Sequence, residues 1–149
     1  MSSSVSRITI MIADDDAVIR HVTETVLRRQ GYQVITAADG DTALRLFQEA
    51  KEPIQLVVSD QSMPGLRGPD LIAAIRRLSP TVAALLMSGT SPVVPSEDLP
   101  VLLKPFSMER FVAKVQELLS TRDGKETKSG QPDESPRDPG ESDRKKAGL

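Results

Sequence analysis

The stretch that most constrains this chain is a short apolar run, Leu56-Val57-Val58, which ends at Ser59-Asp60 and is followed by Pro64 and Gly65. Its β-branched composition without alternation predicts a strand buried on both faces, as in the middle of a parallel sheet. Asp60 then lies at the carboxyl end of that strand, the edge where open α/β sheets bind ligands. A lone aspartate there also fits a turn or a helix cap, so the other strand ends must decide its role.

Similar units occur along the chain. Further strands are predicted at residues 7–13, 33–37, 82–87 and 101–103, and helices at residues 17–30, about 41–50, about 69–78 and 107–119, the last with a cap at Ser107. Strands that alternate with helices form parallel βα units, because each crossover packs right-handedly back onto the sheet. The sequence therefore predicts a three-layer α/β sandwich with five parallel strands.

The chain divides into a domain and a tail. Its 149 residues and 38% hydrophobic content suffice for one compact domain, which we place at residues 5–120. Residues 121–149 contain seven acidic and seven basic side chains among Pro, Gly and Ser, and their apolar residues are Ala147 and Leu149. Such a segment cannot form a core, so we predict a disordered polar tail.

Charge and composition exclude several classes of function. A net charge of −2, from 19 basic and 21 acidic residues, favours neither nucleic acid nor an anionic membrane as a partner. The absence of cysteine and a single histidine, His21, argue against a disulfide framework, a thiolate metal site and a His-based triad. The sequence shows neither a signal peptide nor an apolar run of about 20 residues, so we expect a cytoplasmic protein.

Polar residues follow four of the predicted strands, and parallel strands bring them to one edge. They are Asp14 and Asp15, Asp60, Ser88 with Gly89, and Lys104. Three carboxylates in one pocket favour a divalent cation with oxygen ligands, and Mg²⁺ fits best. With a lysine and a hydroxyl nearby, Asp60 becomes a candidate nucleophile for a phosphoryl group. Asp16 is better explained as the cap of the first helix.

These residues resemble a known family. The acidic pair, Asp60 followed by Met63-Pro64 and Gly68, the Ser88-Gly89 pair and Lys104-Pro105-Phe106 are similar to a response-regulator receiver domain over residues 8–119. The resemblance implies a flavodoxin-like fold with strand order 2-1-3-4-5. It also implies that a histidine kinase or histidine phosphotransfer protein supplies a phosphoryl group to Asp60, and that a downstream protein partner responds. The domain would be no enzyme apart from self-phosphorylation from a phosphodonor and autodephosphorylation.

The resemblance also assigns roles by position. Asp15 and Asp60 would bind Mg²⁺ directly, with the main-chain carbonyl of Ser62 as a third ligand and Asp14 acting mostly through metal-bound water. The phosphoryl group would contact Lys104, Ser88 and the Gly89 N–H. The Lys104-Pro105 bond would be cis.

The segment between Ser88 and Lys104 departs from the family pattern. Pro92, Pro95 and Pro100 leave room for at most about one helical turn. The helix that the family usually carries in this segment, which is the family's fourth, should therefore be shortened or absent. Val101 stands where the family commonly has Tyr or Phe. We therefore expect no dimerisation through a face built on that helix, and a readout through residues 89–100 or the surface around Arg20 and residues 63–67. We expect the receiver domain to stand alone or to lack an output domain.

Two other functions are open. The first is a receiver-like protein-interaction module that is never phosphorylated, although no charged member of the site is missing. The second is an aspartyl-nucleophile phosphatase of the haloacid-dehalogenase type, since residues 14–18 also fit its Asp-x-Asp-x-Val/Thr signature. In that case Asp14 attacks and Asp16 protonates, but the late strand ends offer Ser88 and Lys104 in place of the second acidic cluster such enzymes need.

Overall fold

The structure is a computed structural model that describes residues 7–89 and 98–127. The strands are β1 (Thr9–Ala13), β2 (Gln33–Ala37), β3 (Leu56–Asp60), β4 (Ala83–Ser88) and β5 (Val101–Leu103). The helices are α1 (Ala17–Arg29), α2 (Gly40–Glu49), α3 (Gly68–Leu78) and α4 (Met108–Thr127). Each predicted strand and helix is therefore present, with ends that differ by a few residues except at the end of α4.

The five strands form one parallel sheet in the order β2-β1-β3-β4-β5, as predicted. The register brings the carboxyl ends of the central strands together. Ala13 pairs with Ser59, Asp60 with Met87, and Ser88 with Leu103. The residues that end or follow these strands consequently lie at one edge of the sheet.

Alternating side chains of the sheet form two cores. Ile10, Ile12 and Val58 point to the layer that contains Leu27 of α1 and Phe111 of α4. The opposite face packs on α2 and α3 through residues that include Met11, Val57, Ala43, Leu71 and Ile75. Helices on both faces explain why the strands are apolar without alternation, and they confirm the three-layer flavodoxin-like architecture.

Two predictions fall partly outside the described residues. α4 ends at Thr127, so the first seven residues of the segment predicted as a polar tail are helical, and residues 128–149 are not described. The predicted loss of the family's helix between Ser88 and Lys104 concerns mainly residues 90–97, which are also not described. Residues 98–100 are not helical. Within the described part of the chain, the helices are too short or too polar to span a membrane.

Candidate functional site

Three strand ends bring acidic and basic side chains together. Asp60 is the last residue of β3, Asp14 directly follows β1, and Lys104 directly follows β5. The sheet hydrogen bonds continue into these positions, since Asp14 N–H donates to Ala37 O at 3.1 Å and Lys104 N–H donates to Ser88 O at 2.8 Å. The backbone at the site is thus held by the sheet itself.

Lys104 is the cation of this cluster. Its Nζ lies 3.0 Å from Asp60 Oδ1 and 3.6 Å from Asp14 Oδ2. Burial acts to lower the pKa of Lys104, but the hydrogen bond to Asp60 and the charges of Asp14 and Asp60 outweigh it and raise that pKa above its usual value. Lys104 therefore stays protonated and holds the two carboxylates in place.

Asp14 is a fully buried carboxylate, and only one of its two oxygens accepts a hydrogen bond. Its Oδ1 accepts a hydrogen bond from Asp16 N–H at 2.8 Å, whereas its buried Oδ2 has no hydrogen-bond partner. Burial raises the pKa of Asp14, against the effects of the Asp16 hydrogen bond and Lys104, and the charges of Asp60 and Asp15 add to the increase. A buried acceptor without a hydrogen-bond donor is costly, and a cation closer than the Lys104 ammonium, which is 3.6 Å away, would relieve that cost further.

The carboxylates of Asp14, Asp15 and Asp60 can hold a metal ion. One oxygen from each lies within 4.8 Å of the others, with Asp15 exposed to solvent and the other two buried. A set of carboxylate oxygens with an open side suits a hard cation such as Mg²⁺, which keeps part of its water shell. Ser62 lies exposed in the loop that leaves β3, and its role as a further ligand stays a prediction.

Ser88 and Gly89 complete the edge on the β4 side. Ser88 is fully buried and its Oγ donates to Gln61 Oε1 at 2.6 Å. Gly89 is exposed, and a Cβ placed on it would come within 4.0 Å of Lys104 Cδ. Both residues are therefore beside the cluster, and their contact with a phosphoryl group stays a prediction. No role is predicted for Gln61 from the sequence, although its position directly after Asp60 indicates that it lies at the same edge of the sheet.

Other residues shape the site from outside. Asp16 caps α1, because its Oδ1 accepts from Val18 N–H at 2.9 Å and Ile19 N–H at 3.2 Å, as predicted. Arg20 donates from Nη1 to the Asp14 carbonyl oxygen at 2.8 Å. Gly68 packs against the Asp60 carbonyl oxygen so closely that a Cβ there would collide with it. The Lys104-Pro105 bond is cis, as the resemblance implied.

The comparisons with known proteins agree with this geometry. Residues 10–116 match the response regulator receiver domain. Sensor kinase CckA of Brucella abortus is 31% identical over 121 residues, which are 77% of this chain and 13% of CckA. The probable transcriptional regulator ycf27 of Porphyridium aerugineum is 36% identical over 115 residues, which are 74% of this chain and 47% of ycf27.

A solved structure gives the same result at the level of the domain. The crystal structure of the receiver domain of hybrid histidine kinase CckA is 30% identical, with a TM-score of 0.67, and the match covers 74% of this chain and 98% of that domain. The chain spans about half or less of the length of the two curated relatives named above. The shared part is the receiver domain, and the chain belongs to the response regulator receiver domain family.

Proposed function

We propose that this receiver domain accepts a phosphoryl group on Asp60 from a partner phosphohistidine, with Mg²⁺ bound, and that phosphorylation changes its binding to a partner protein. The observation that carries the proposal is the Lys104 Nζ contact with Asp60 Oδ1 at 3.0 Å, beside two further carboxylates. This arrangement combines a nucleophile, a fixed cation and a metal-binding group of oxygens at one edge.

The transfer is a displacement at phosphorus. A carboxylate oxygen of Asp60 forms the new P–O bond while the P–N bond of phosphohistidine breaks and its electron pair returns to the imidazole. In this proposal Lys104, which contacts Asp60, neutralises charge on the transferred group, and Ser88 and the Gly89 N–H at the end of β4 bind it. Asp15, Asp60 and the Ser62 carbonyl would hold Mg²⁺, with Asp14 acting mostly through metal-bound water, and the ion would supply further charge neutralisation.

The partners follow from this chemistry. A histidine kinase or a histidine phosphotransfer protein is the donor, and the relative CckA is named a sensor kinase. The output is a change in protein binding, in line with a net charge of −2 that gives no attraction for nucleic acid or membrane. We propose a cytoplasmic location and no enzymatic activity beyond self-phosphorylation and autodephosphorylation.

The phosphatase alternative is disfavoured by the position of two side chains. Asp16, its proton donor, uses Oδ1 to cap α1. Asp14, its nucleophile, is fully buried. The interaction-module alternative is disfavoured because Asp14, Asp15, Asp60 and Lys104 are all retained and come together at one edge.

The test is incubation with Mg²⁺ and acetyl phosphate, followed by mass measurement of an acid-stable, base-labile adduct. The wild-type protein should be labelled, and Asp60→Asn should abolish labelling while the fold is retained, because Asn is nearly isosteric. Asp70→Asn, at an exposed acid in the first turn of α3, is the matched control and should label normally. Full labelling of Asp60→Asn would rule out Asp60 as the acceptor.

A further inference from the structure

The hydrogen bond from Ser88 to Gln61 joins two buried side chains across neighbouring strand ends. Ser88 Oγ donates to Gln61 Oε1 at 2.6 Å, and the residues are 0% and 8% exposed. The main chain of Gln61 is itself held, because its N–H donates to Met87 O at 2.8 Å and its carbonyl accepts from Gly68 N–H at 3.1 Å. The amide oxygen of Gln61 is therefore presented to Ser88 from a fixed backbone.

A serine hydroxyl carries a single proton and donates one strong hydrogen bond at a time. In the proposed phosphorylated state, Ser88 donates to an oxygen of the phosphoryl group on Asp60. The phosphoryl group must therefore displace Gln61 Oε1 as the acceptor of that proton. The Ser88 main chain stays in the sheet through Lys104 N–H, so the competition concerns the side chain.

We propose that Gln61 is a positioning residue, which holds the Ser88 hydroxyl in the unphosphorylated arrangement and so lowers the affinity of the site for a phosphoryl group. This inference rests on the proposed phosphorylation of Asp60. Loss of the Gln61 acceptor destabilises the unphosphorylated arrangement and leaves the phosphorylated one unchanged. A neutral hydrogen bond of this kind shifts an equilibrium by about two- to tenfold.

The test is the affinity for beryllofluoride with Mg²⁺, a mimic of aspartyl phosphate that does not turn over, measured by titration calorimetry. Gln61→Met keeps the length of the side chain and removes the amide oxygen, so it should bind beryllofluoride about two- to tenfold more tightly than wild type. In a Ser88→Ala background the same change should have no effect, because the competing hydroxyl is gone. Equal affinity in the wild-type background, or an equal change in both backgrounds, would overturn the assignment.

A second measurement needs no change at Gln61. In the wild-type protein, the side-chain amide resonance of Gln61 should shift when beryllofluoride binds, and the shift should be much smaller in Ser88→Ala. An unchanged resonance would overturn the assignment even if Gln61→Met did not fold. If beryllofluoride binding requires Asp60 but its affinity is unchanged in Gln61→Met, this inference alone is overturned. If the wild-type protein does not bind beryllofluoride, the proposed function is overturned as well.

Discussion

Replacing Lys104 by methionine should destabilise the metal-free protein, because Lys104 lies between two largely buried carboxylates. Its Nζ is 3.0 Å from Asp60 Oδ1 and 3.6 Å from Asp14 Oδ2, and the three side chains are 20%, 11% and 0% exposed. At an effective dielectric constant of about 20, each contact is worth about 5 kcal/mol before desolvation. Burying the ammonium offsets much of this attraction.

The net loss is smaller than the sum of the two attractions. Removal of one partner of a buried ion pair costs about 3–5 kcal/mol, and the partial exposure of Lys104 moves the expectation to about 2–3 kcal/mol. For a domain of this size, the loss corresponds to a decrease of about 8–12 °C in melting temperature. Added Mg²⁺ should reduce the loss, since the ion supplies positive charge to the same carboxylates.

Urea unfolding followed by circular dichroism, in EDTA and in Mg²⁺, measures both effects. The matched control is Lys114→Met, because the half-buried Lys114 pairs at 3.5 Å with Glu117, an exposed acid of α4. That variant should lose less than about 0.5 kcal/mol in either condition. Equal losses of stability for Lys104→Met and Lys114→Met in EDTA would contradict this role of Lys104, and so would a loss in Lys104→Met that Mg²⁺ leaves unchanged.

Three further predictions concern the acidic loop after β1. Asp15→Ala should prevent both Mg²⁺ binding and phosphorylation. In the wild type, Mg²⁺ at about a hundred times its Kd should add about 2.7 kcal/mol to the free energy of unfolding. A wild-type melting curve that does not respond to Mg²⁺ would contradict the metal site. Asp16→Ala should cost about 1 kcal/mol by loss of the α1 cap yet leave acetyl phosphate labelling intact, and loss of labelling would give Asp16 a role in the chemistry. Asp14→Asn should be more stable than wild type in EDTA at neutral pH. Burial is the main reason why the folded-state pKa of Asp14 is raised above its usual value of 3.8. Asp14 therefore contributes stability below pH 3.8, and this contribution is lost as the pH rises through the folded-state pKa. Urea unfolding between pH 3.5 and pH 8 should therefore show the two proteins converging at the acidic end, and a gap that does not depend on pH would refute the cause.

The fold was predictable because local and global signals agree. The apolar runs mark strands that are buried on both faces, and the caps predicted at Asp16 and Ser107 are present, with Ser107 Oγ accepting from Arg110 N–H at 3.0 Å. The meeting of Asp14, Asp60 and Lys104 was also predictable, because parallel strands place their carboxyl ends at one edge. Strand type and order were sufficient to bring these residues together.

Other features depend on information that residue types do not carry. The contact between Ser88 and Gln61 requires a particular side-chain conformation at each residue. The lack of a hydrogen bond to Asp14 Oδ2, which lies 3.6 Å from Lys104 Nζ, depends on distances at the scale of one hydrogen bond. The extension of α4 to Thr127 has a different reason. Polar composition shows that a segment cannot build a core, but a helix already anchored by Phe111 and Val115 can continue through polar residues.

The three carboxylates differ in burial and contacts, and these differences fit the different roles proposed for them. Asp14 is fully buried with Oδ1 engaged by Asp16 N–H, so a phosphorus atom cannot approach it in line. Asp15 is exposed, but the described ion pairs of Lys104 are with Asp14 and Asp60. Asp60 is largely buried but keeps 11% of its side chain exposed, and it has a cation at 3.0 Å, as the proposed phosphoryl acceptor requires. The buried charge of Asp14 costs stability without metal, and we infer that relief of this cost would contribute to the affinity for the Mg²⁺ of the proposed transfer to Asp60.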